Sequence, residues 1–337
     1  MAQPPLRTTD LAESVGDQFD LAADILGRLG LGEVGVIGGD VGQDESDDLI
    51  VTLTAGEVAA LASDLPQHQD SSPWHLHLSN QGRRVGNAGV MGESTRVQLC
   101  GAFAVELQGR RIDNMLPGRQ GRLLFAYLAL SRLQTVSRDS LIEALWADDR
   151  PVDAGGALSA LISKTRAVVG ADVLRGRSDL ILAFPEPAYI DVEVAMSQLH
   201  SAESAVAVGA WRRAWAPALS ALFVARRRFL PEADARWAET WRRRLEDVRV
   251  RALESYAKTC LELAGAELPG AERAARELVD AAPFRESGHL LLMRALAANG
   301  NVAEALAAYE RLRVLLRDEL GADPSDAVQD AYLRLLG

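Results

Sequence analysis

Two short helical patterns joined by a turn occupy residues 136–170, which read VSRDSLIEALWADDRPVDAGGALSALISKTRAVVG. Ser137 stands where an N-cap is expected, and the apolar residues after it share one helical face. Turn residues 148–151 end this helix, and the next helix is predicted from about Asp153 to Val169, with Gly170 ending it. The apolar residues of the second helix form one stripe, which leaves serine and basic side chains on or near the other side.

The segments on either side complete a recognisable order of elements. Upstream, a short antiparallel ribbon is predicted in VQLCGAFAVELQ (97–108), with a turn at residues 109–111 and a few more extended residues to Pro117. A nearly all-apolar, and therefore buried, helix is predicted in RLLFAYLALSRL (122–133). Downstream, DVLRGRSDLILAF (172–184) predicts two extended pieces around a basic turn. Three short helices followed by such a hairpin are the order of a winged helix-turn-helix.

From about residue 191 the pattern is almost entirely helical and weakly repeated. Three segments that each begin with a glycine have an alanine four or five residues later, and these alanines are Ala214, Ala274 and Ala305. The offsets of 60 and 31 residues are near two repeats and one repeat of a helical hairpin of about 34 residues. Such units cannot bury both faces alone, so we expect them to stack.

The net charge of −11 comes from one part of the chain. Residues 1–95 hold 4 arginines against 15 acidic residues, whereas residues 96–190 carry a net charge of +2 and residues 191–337 of −2. Salt screens charges beyond about 10 Å, so the acidity of the first segment does not exclude a nucleic-acid partner for the second.

The sequence lacks the motifs of several classes of enzyme and metal-binding protein. Only two lysines occur, Lys164 and Lys258, and neither follows a glycine, so the chain has no P-loop. Signatures of nucleophilic or zinc-dependent hydrolases are absent, as are clustered metal ligands. The two cysteines, 160 positions apart, predict buried, reduced thiols. We therefore expect a protein that is not an enzyme, has no cofactor or metal, does not contact the membrane and stays in the cytoplasm.

Residues 1–93 are predicted to be a small acidic α+β extension of unknown role. Its predicted elements are a helix over about 10–29, a strand at 49–54, a capped helix after Thr54 and a hairpin near residues 80–82. One hypothesis is that its negative charge covers a basic DNA-binding surface. The alternative that we favour is a solubilising or unrelated module.

The chain from about Arg96 to Gly337 resembles the SARP-type regulators. In that family an OmpR/PhoB-like winged helix precedes a bacterial transcriptional activator domain of tetratricopeptide-like (TPR-like) repeats. The resemblance is strongest in residues 136–170 and in PFRESGHLLLMRALAANGNVAEALAAYERLRVLLRDELGADPS, residues 283–325. It implies a mainly α fold with a winged helix-turn-helix over residues 94–190 and an all-α TPR-like domain over residues 191–337.

The resemblance also implies sequence-specific binding to double-stranded DNA, with pairing into a homodimer, and activation by contact with RNA polymerase holoenzyme. Carried over by position, the helix from Asp153 to Val169 is the recognition helix. The implied DNA-contacting residues are Ser159, Ser163, Lys164, Arg166, Arg175 and Arg177. The loop from Asp148 to Gly156, with Asp148, Asp149 and Arg150, stands where the family contacts polymerase.

Other interpretations remain open at this point. The winged helix could have lost DNA binding, leaving a TPR-like interaction scaffold or a ligand-responsive signalling module. The arginine runs 226–228 and 242–244 adjoin acidic residues, which favours a salt-bridged face over a nucleic-acid patch. The aromatic residues of the repeats are predicted to be core rather than a ligand pocket: Trp211, Trp215, Trp237, Trp241 and Tyr309.

Overall fold

The computed structural model describes residues 95–147 and 149–337. The elements predicted within residues 1–93, and Asp148, lie outside this part. The strands in the described part are β1 (Thr95–Gln98), β2 (Ala104–Leu107), β3 (Arg110–Arg111), β4 (Val136–Ser137), β5 (Leu174–Arg175), β6 (Asp179–Leu182) and β7 (Ala188–Ile190).

The helices of the same part fall into two groups along the chain. The first group is α1 (Gly118–Leu130), α2 (Arg138–Trp146) and α3 (Ala154–Val169). The second is α4 (Asp191–Ala207), α5 (Trp211–Ala225), α6 (Arg236–Leu263), α7 (Leu268–Ala281), α8 (Glu286–Ala298), α9 (Val302–Leu320) and α10 (Asp326–Leu336). This mainly helical order confirms the predicted fold class.

The first sheet has the strand order β3-β2-β1-β7, with β1 antiparallel to β2 and parallel to β7. The predicted ribbon is confirmed, but the turn prediction at residues 109–111 was wrong by one position. Arg110 and Arg111 pair with β2, and the turn falls on Gln108 and Gly109, whose φ angles are 50° and 72°. A two-residue hairpin loop of this kind requires positive φ at both central residues. Residues 113–115, predicted as extended, form a turn of 3₁₀ helix instead.

The helix boundaries around α2 and α3 follow from capping side chains. Ser137 Oγ accepts a hydrogen bond from the Ser140 amide at 3.1 Å, and an Asp153 carboxylate oxygen accepts one from the Gly156 amide at 2.8 Å. Each bond satisfies an amide that has no partner within its helix. Gly170, with φ of 100°, ends α3. The predicted start and end of the second helical pattern are confirmed.

A core of large apolar side chains joins α1, α2 and α3 to the second sheet. That sheet has the order β4-β6-β5, and the β5–β6 hairpin follows α3 as a wing. At the centre, Phe125 of α1 is fully buried and meets Phe184 with ring centroids 5.9 Å apart. The other core residues of this part that are at most 1% exposed include Leu124, Leu128, Leu141, Leu158, Leu174, Leu180 and Leu182. The three helices and the wing therefore share one core.

Helices α4 to α10 pack against their chain neighbours, as stacked helical hairpins do. The small residues predicted in equivalent slots, Ala214, Ala274 and Ala305, are at most 2% exposed, so the backbones of neighbouring helices approach closely there. Gly209 and Gly300 precede α5 and α9 with φ of 67° and 83°. Across residues 95–147 and 149–337, no helix has the length and apolar character needed to cross a bilayer.

Both cysteines are free and fully buried, as predicted. Burial, followed by the nearby Asp191 carboxylate, raises the pKa of Cys100, and burial raises the pKa of Cys260 to about 12. Because the thiolate is the reactive form, we expect neither thiol of the native protein to react with Ellman's reagent at pH 8, and both to react in guanidinium chloride. Reaction of either thiol before unfolding would contradict this assignment.

Candidate nucleic-acid interface

Helix α3 separates its side chains into a buried face and an exposed face. Leu158, Ile162, Thr165 and Val169 are buried against the winged-helix core. Three of the predicted DNA-contacting residues, Ser159, Ser163 and Lys164, are exposed on the other side. A recognition helix needs this separation, because it must hold to its own domain while it offers polar side chains to the major groove.

Among the predicted contact residues, Lys164 and Arg177 have charges that are exposed to solvent and not neutralised by another described residue. Both are exposed, and neither forms an ion pair with another residue that the structure describes. Lys164 is on α3, and Arg177 is in the turn between β5 and β6. The two cations thus lie on the helix and on the wing, the two elements that a winged helix applies to DNA.

Arg166 uses its guanidinium to hold the wing. Its Nε donates to the Leu174 carbonyl at 2.8 Å and its Nη2 donates to the Gly176 carbonyl at 2.6 Å. Arg166 is half-buried, unlike Lys164. The structure therefore places it between α3 and the wing and not on the open face of the helix.

Ser159 is also bonded within the protein, through an arginine that the sequence did not indicate. Its hydroxyl donates to the Gly155 carbonyl at 2.8 Å and accepts from Arg138 Nη2. The same Arg138 guanidinium donates to the Gly155 carbonyl at 3.2 Å and, through Nη1, to the Arg177 carbonyl at 3.3 Å. Arg138 of α2 thus connects the start of α3 to the tip of the wing.

One sequence signal could have identified Arg138. It is the first residue of α2, where the helix dipole disfavours a cation. An arginine at that position needs acceptors elsewhere, and here they are on α3 and the wing.

The wing turn depends on a glycine. Gly176 has φ of 92°, and a Cβ on it would clash with the Asp179 carbonyl oxygen. Arg175 is exposed, but its Nε donates to the Asp172 carbonyl at 2.6 Å, so part of its hydrogen-bonding capacity is used locally. The structure brings Arg177 together with the start of α3, whereas the side chain of Arg175, the last residue of β5, bonds back to Asp172 before the hairpin.

Asp149 and Arg150, predicted for polymerase contact, are exposed in the loop between α2 and α3. The Asp149 amide donates to the Trp146 carbonyl at 3.2 Å, which ties the start of the loop to the end of α2. Asp148, the third predicted residue, lies outside the described part of the chain.

A seam of backbone and aromatic contacts joins the winged helix to the helical repeats. The chain after β1 pairs with residues 228–230: Gly101 donates to the Arg228 carbonyl at 2.9 Å and Leu230 donates to the Leu99 carbonyl at 2.8 Å. The Trp237 indole donates to the Ala144 carbonyl of α2 at 3.1 Å. These contacts fix the direction of α3 relative to the repeats.

Asp191, the first residue of α4, adds side-chain acceptors to this seam. Its carboxylate accepts hydrogen bonds from the amides of Leu99 and Cys100 at 3.0 and 2.8 Å, and from the Val192 amide at 2.9 Å. It thereby joins the residues that directly follow β1 to the first helix of the repeats.

One arginine of each run forms a salt bridge, as the salt-bridge interpretation predicted, and one of each lies over an aromatic ring. Arg226 pairs with Glu277, and Arg242 pairs with Glu239 while donating to three carbonyls near residue 230. Among the aromatic residues, Trp215, Trp237 and Trp241 pack against the core, and the Tyr309 ring stacks on Tyr332 with centroids 4.0 Å apart. Trp211 differs in facing Lys258, whose Nζ lies 5.8 Å from its ring.

Comparison with known proteins agrees with this architecture. Residues 190–336 match the family model described as the bacterial transcriptional activator domain. The chain is 31% identical over 217 residues to the regulatory protein AfsR of Streptomyces griseus, covering 64% of this chain and 22% of AfsR. It is 26% identical over 247 residues to the transcriptional regulatory protein EmbR of Mycobacterium tuberculosis, covering 71% of this chain and 62% of EmbR.

A solved structure of EmbR in complex with a low-affinity phosphopeptide has the same fold, with a TM-score of 0.62 at 23% identity. The match covers 72% of this chain and 65% of that one. The chain spans less than two thirds of the length of the relatives named here. The relatives are named as regulatory proteins and not as enzymes. Residues 190–336 therefore match the bacterial transcriptional activator domain, and over about two thirds of its length the chain is similar to SARP-type transcriptional regulators.

Proposed function

We propose that this chain is a sequence-specific DNA-binding activator that acts in the cytoplasm on double-stranded DNA. In this proposal α3 enters the major groove, the wing contacts the neighbouring phosphates, and the loop containing Asp148, Asp149 and Arg150 contacts RNA polymerase holoenzyme. Binding as a homodimer is part of the same proposal. The domain division at residues 94–190 and 191–337 assigns DNA binding to the first part and activation to the second.

The observation that carries this proposal is the exposed face of α3 together with the wing cation Arg177, which has no ion pair within residues 95–147 and 149–337. Ser163 and Lys164 are open to solvent, and Arg138, which also bonds to the start of α3, donates to the Arg177 carbonyl at the wing tip. Serine hydroxyls contact bases and phosphates, and a cation on each of two elements releases counterions from the DNA.

Arg166, Ser159 and Arg175 have a different role in the proposal. Their side chains bond to carbonyls of α3, of the wing or of the hairpin base. We therefore assign to Arg166 and Ser159 mainly the positioning of the reading elements, and we keep direct phosphate contact for Lys164 and Arg177.

The test begins with a genome-wide map of the DNA sites that the protein binds. The association constant for a DNA fragment that contains one of these sites is then measured at several salt concentrations. We expect the logarithm of the association constant to fall with the logarithm of salt with a slope of about −4, because Lys164 and Arg177 of both subunits of the proposed homodimer make about four phosphate contacts. Lys164→Ala removes one contact from each subunit, so it should make the slope less steep by about 2 and weaken binding to all sequences alike. A slope near zero would instead favour the interaction scaffold.

A further inference from the structure

A cleft of about 570 Å³ opens between the winged helix and the repeats, away from the exposed face of α3. Its winged-helix side comes from residues 101–103 and 111–123, and its repeat side from residues 230–233. The volume falls within the range of small-molecule sites, about 300–1,000 Å³. Neither the DNA-reading elements nor the polymerase loop lines it.

Three arginines line this cleft, and only one of them has a strong partner. Arg111 Nε donates to the Asp113 carboxylate at 2.7 Å. Burial favours a higher pKa for Asp113, but the hydrogen bond and charge of Arg111 prevail, so the pKa of this carboxyl lies below its usual value. The Arg111–Asp113 pair is therefore charged on both sides and contributes no net charge to the cleft.

Arg122 is incompletely satisfied. Its Nε is buried and has no hydrogen-bond partner in the described structure. Its Nη1 lies 4.0 Å from Glu232, whose side chain is 86% exposed, so solvent screens this pair strongly. Arg119, three residues earlier on the same face of α1, is exposed and has no ion pair with the described residues. Arg119 and Arg122 together outnumber the single remaining carboxylate, Glu232, and leave the cleft with a net positive charge.

Besides Asn114 and Glu232, the rest of the lining is apolar or glycine. Phe103, Leu123, Leu230, Pro231 and Ala233 border the cleft. The Arg122 guanidinium carbon lies 6.0 Å from the centroid of the Phe103 ring, which itself packs edge-on against Phe125. An arginine beside a fixed aromatic ring can bind an anionic group while the ring contacts a flat apolar group.

We propose that this cleft binds a small organic anion, with its carboxylate or phosphate bonded to Arg122 and Arg119 and its planar apolar part beside Phe103. Acceptors on the ligand would take charge-assisted hydrogen bonds from the exposed part of the Arg122 guanidinium, whose side chain is 38% exposed, and from Arg119. Because the ligand contacts both the winged helix and residues 230–233, binding also stabilises the seam between them.

The experiment uses the full chain without DNA, so its result is independent of the proposed DNA binding. Titration calorimetry with phenyl phosphate and with benzoate distinguishes phosphate from carboxylate ligands. Inorganic phosphate and benzyl alcohol serve as the purely anionic and purely apolar probes. We expect one saturable site for phenyl phosphate or benzoate, and binding weaker by about tenfold or more for inorganic phosphate and for benzyl alcohol.

Arg122→Gln should weaken binding of the organic anion by about tenfold or more, because a charge-assisted bond is lost. Arg119→Gln, at an exposed position that leaves the fold intact, should weaken it several-fold. Arg243→Gln, an exposed arginine on α6 outside the cleft, is the matched control and should leave binding unchanged. The proposal is overturned if neither organic anion saturates at millimolar concentration, or if the Arg119 and Arg243 variants bind equally.

Discussion

Arg138→Ala is expected to lower the affinity for operator DNA by about 10- to 100-fold, although Arg138 is proposed to position the reading elements and not to touch DNA. Its guanidinium donates to the Gly155 carbonyl, the Ser159 hydroxyl and the Arg177 carbonyl. The stated loss corresponds to about 1.4–2.7 kcal/mol, which is the lower part of what three bonds of about 0.5–1.5 kcal/mol each supply if the freed groups must be reordered when DNA binds. Alanine therefore releases both the start of α3 and the wing tip.

The salt dependence separates positioning from phosphate contact. Loss of a phosphate contact makes the slope less steep by about 1, whereas loss of positioning lowers affinity at every salt concentration with little change in slope. Fluorescence anisotropy with a labelled operator at several salt concentrations measures both quantities. Arg243→Ala, which removes an exposed arginine of the repeats, is the matched control and should retain full affinity. An Arg138→Ala protein with wild-type affinity, or with a slope reduced like that of Lys164→Ala, would refute the positioning role.

The local features of the recognition region could be predicted from sequence because they depend on neighbouring residues. Ser137, Asp153 and Gly170 act within a few positions of themselves, through caps and a positive φ. The alanine slots of the repeats follow a period that the sequence displays. The turn prediction included Gly109 correctly. It was wrong for Arg110 and Arg111, because the sequence pattern does not show that these two residues pair with β2.

The connections between elements could not be predicted in the same way. Arg138 reaches residues 17 to 39 positions away, and Asp191 reaches residues 91 and 92 positions away. Nothing in the periodicity around either residue specifies such a partner. Arg166 illustrates the consequence: its sequence position suggests a DNA contact, yet its side chain bonds to wing carbonyls. Only the tertiary structure distinguishes an exposed cation from a bonded one.

Asp191→Ala is expected to lower the free energy of unfolding by about 2–6 kcal/mol, because the amides of Leu99 and Cys100 lose their acceptor at about 1–3 kcal/mol each. Leu99 and Cys100 are fully buried, so water cannot replace the carboxylate without opening the seam. The lost carboxylate also removes a favourable charge from the first turn of α4. Guanidinium denaturation followed by circular dichroism measures the change.

Two further variants make this expectation specific to the seam. Asp191→Asn keeps one acceptor oxygen and should lose less stability than Asp191→Ala. Glu193→Ala, two residues along α4, breaks a 2.8 Å ion pair with Arg132 in which the Glu193 side chain is 40% exposed. Because solvent screens that pair, its removal should cost at most about 1 kcal/mol. If Asp191→Ala and Glu193→Ala unfold at the same denaturant concentration, the Asp191 carboxylate does not hold the winged helix to the repeats.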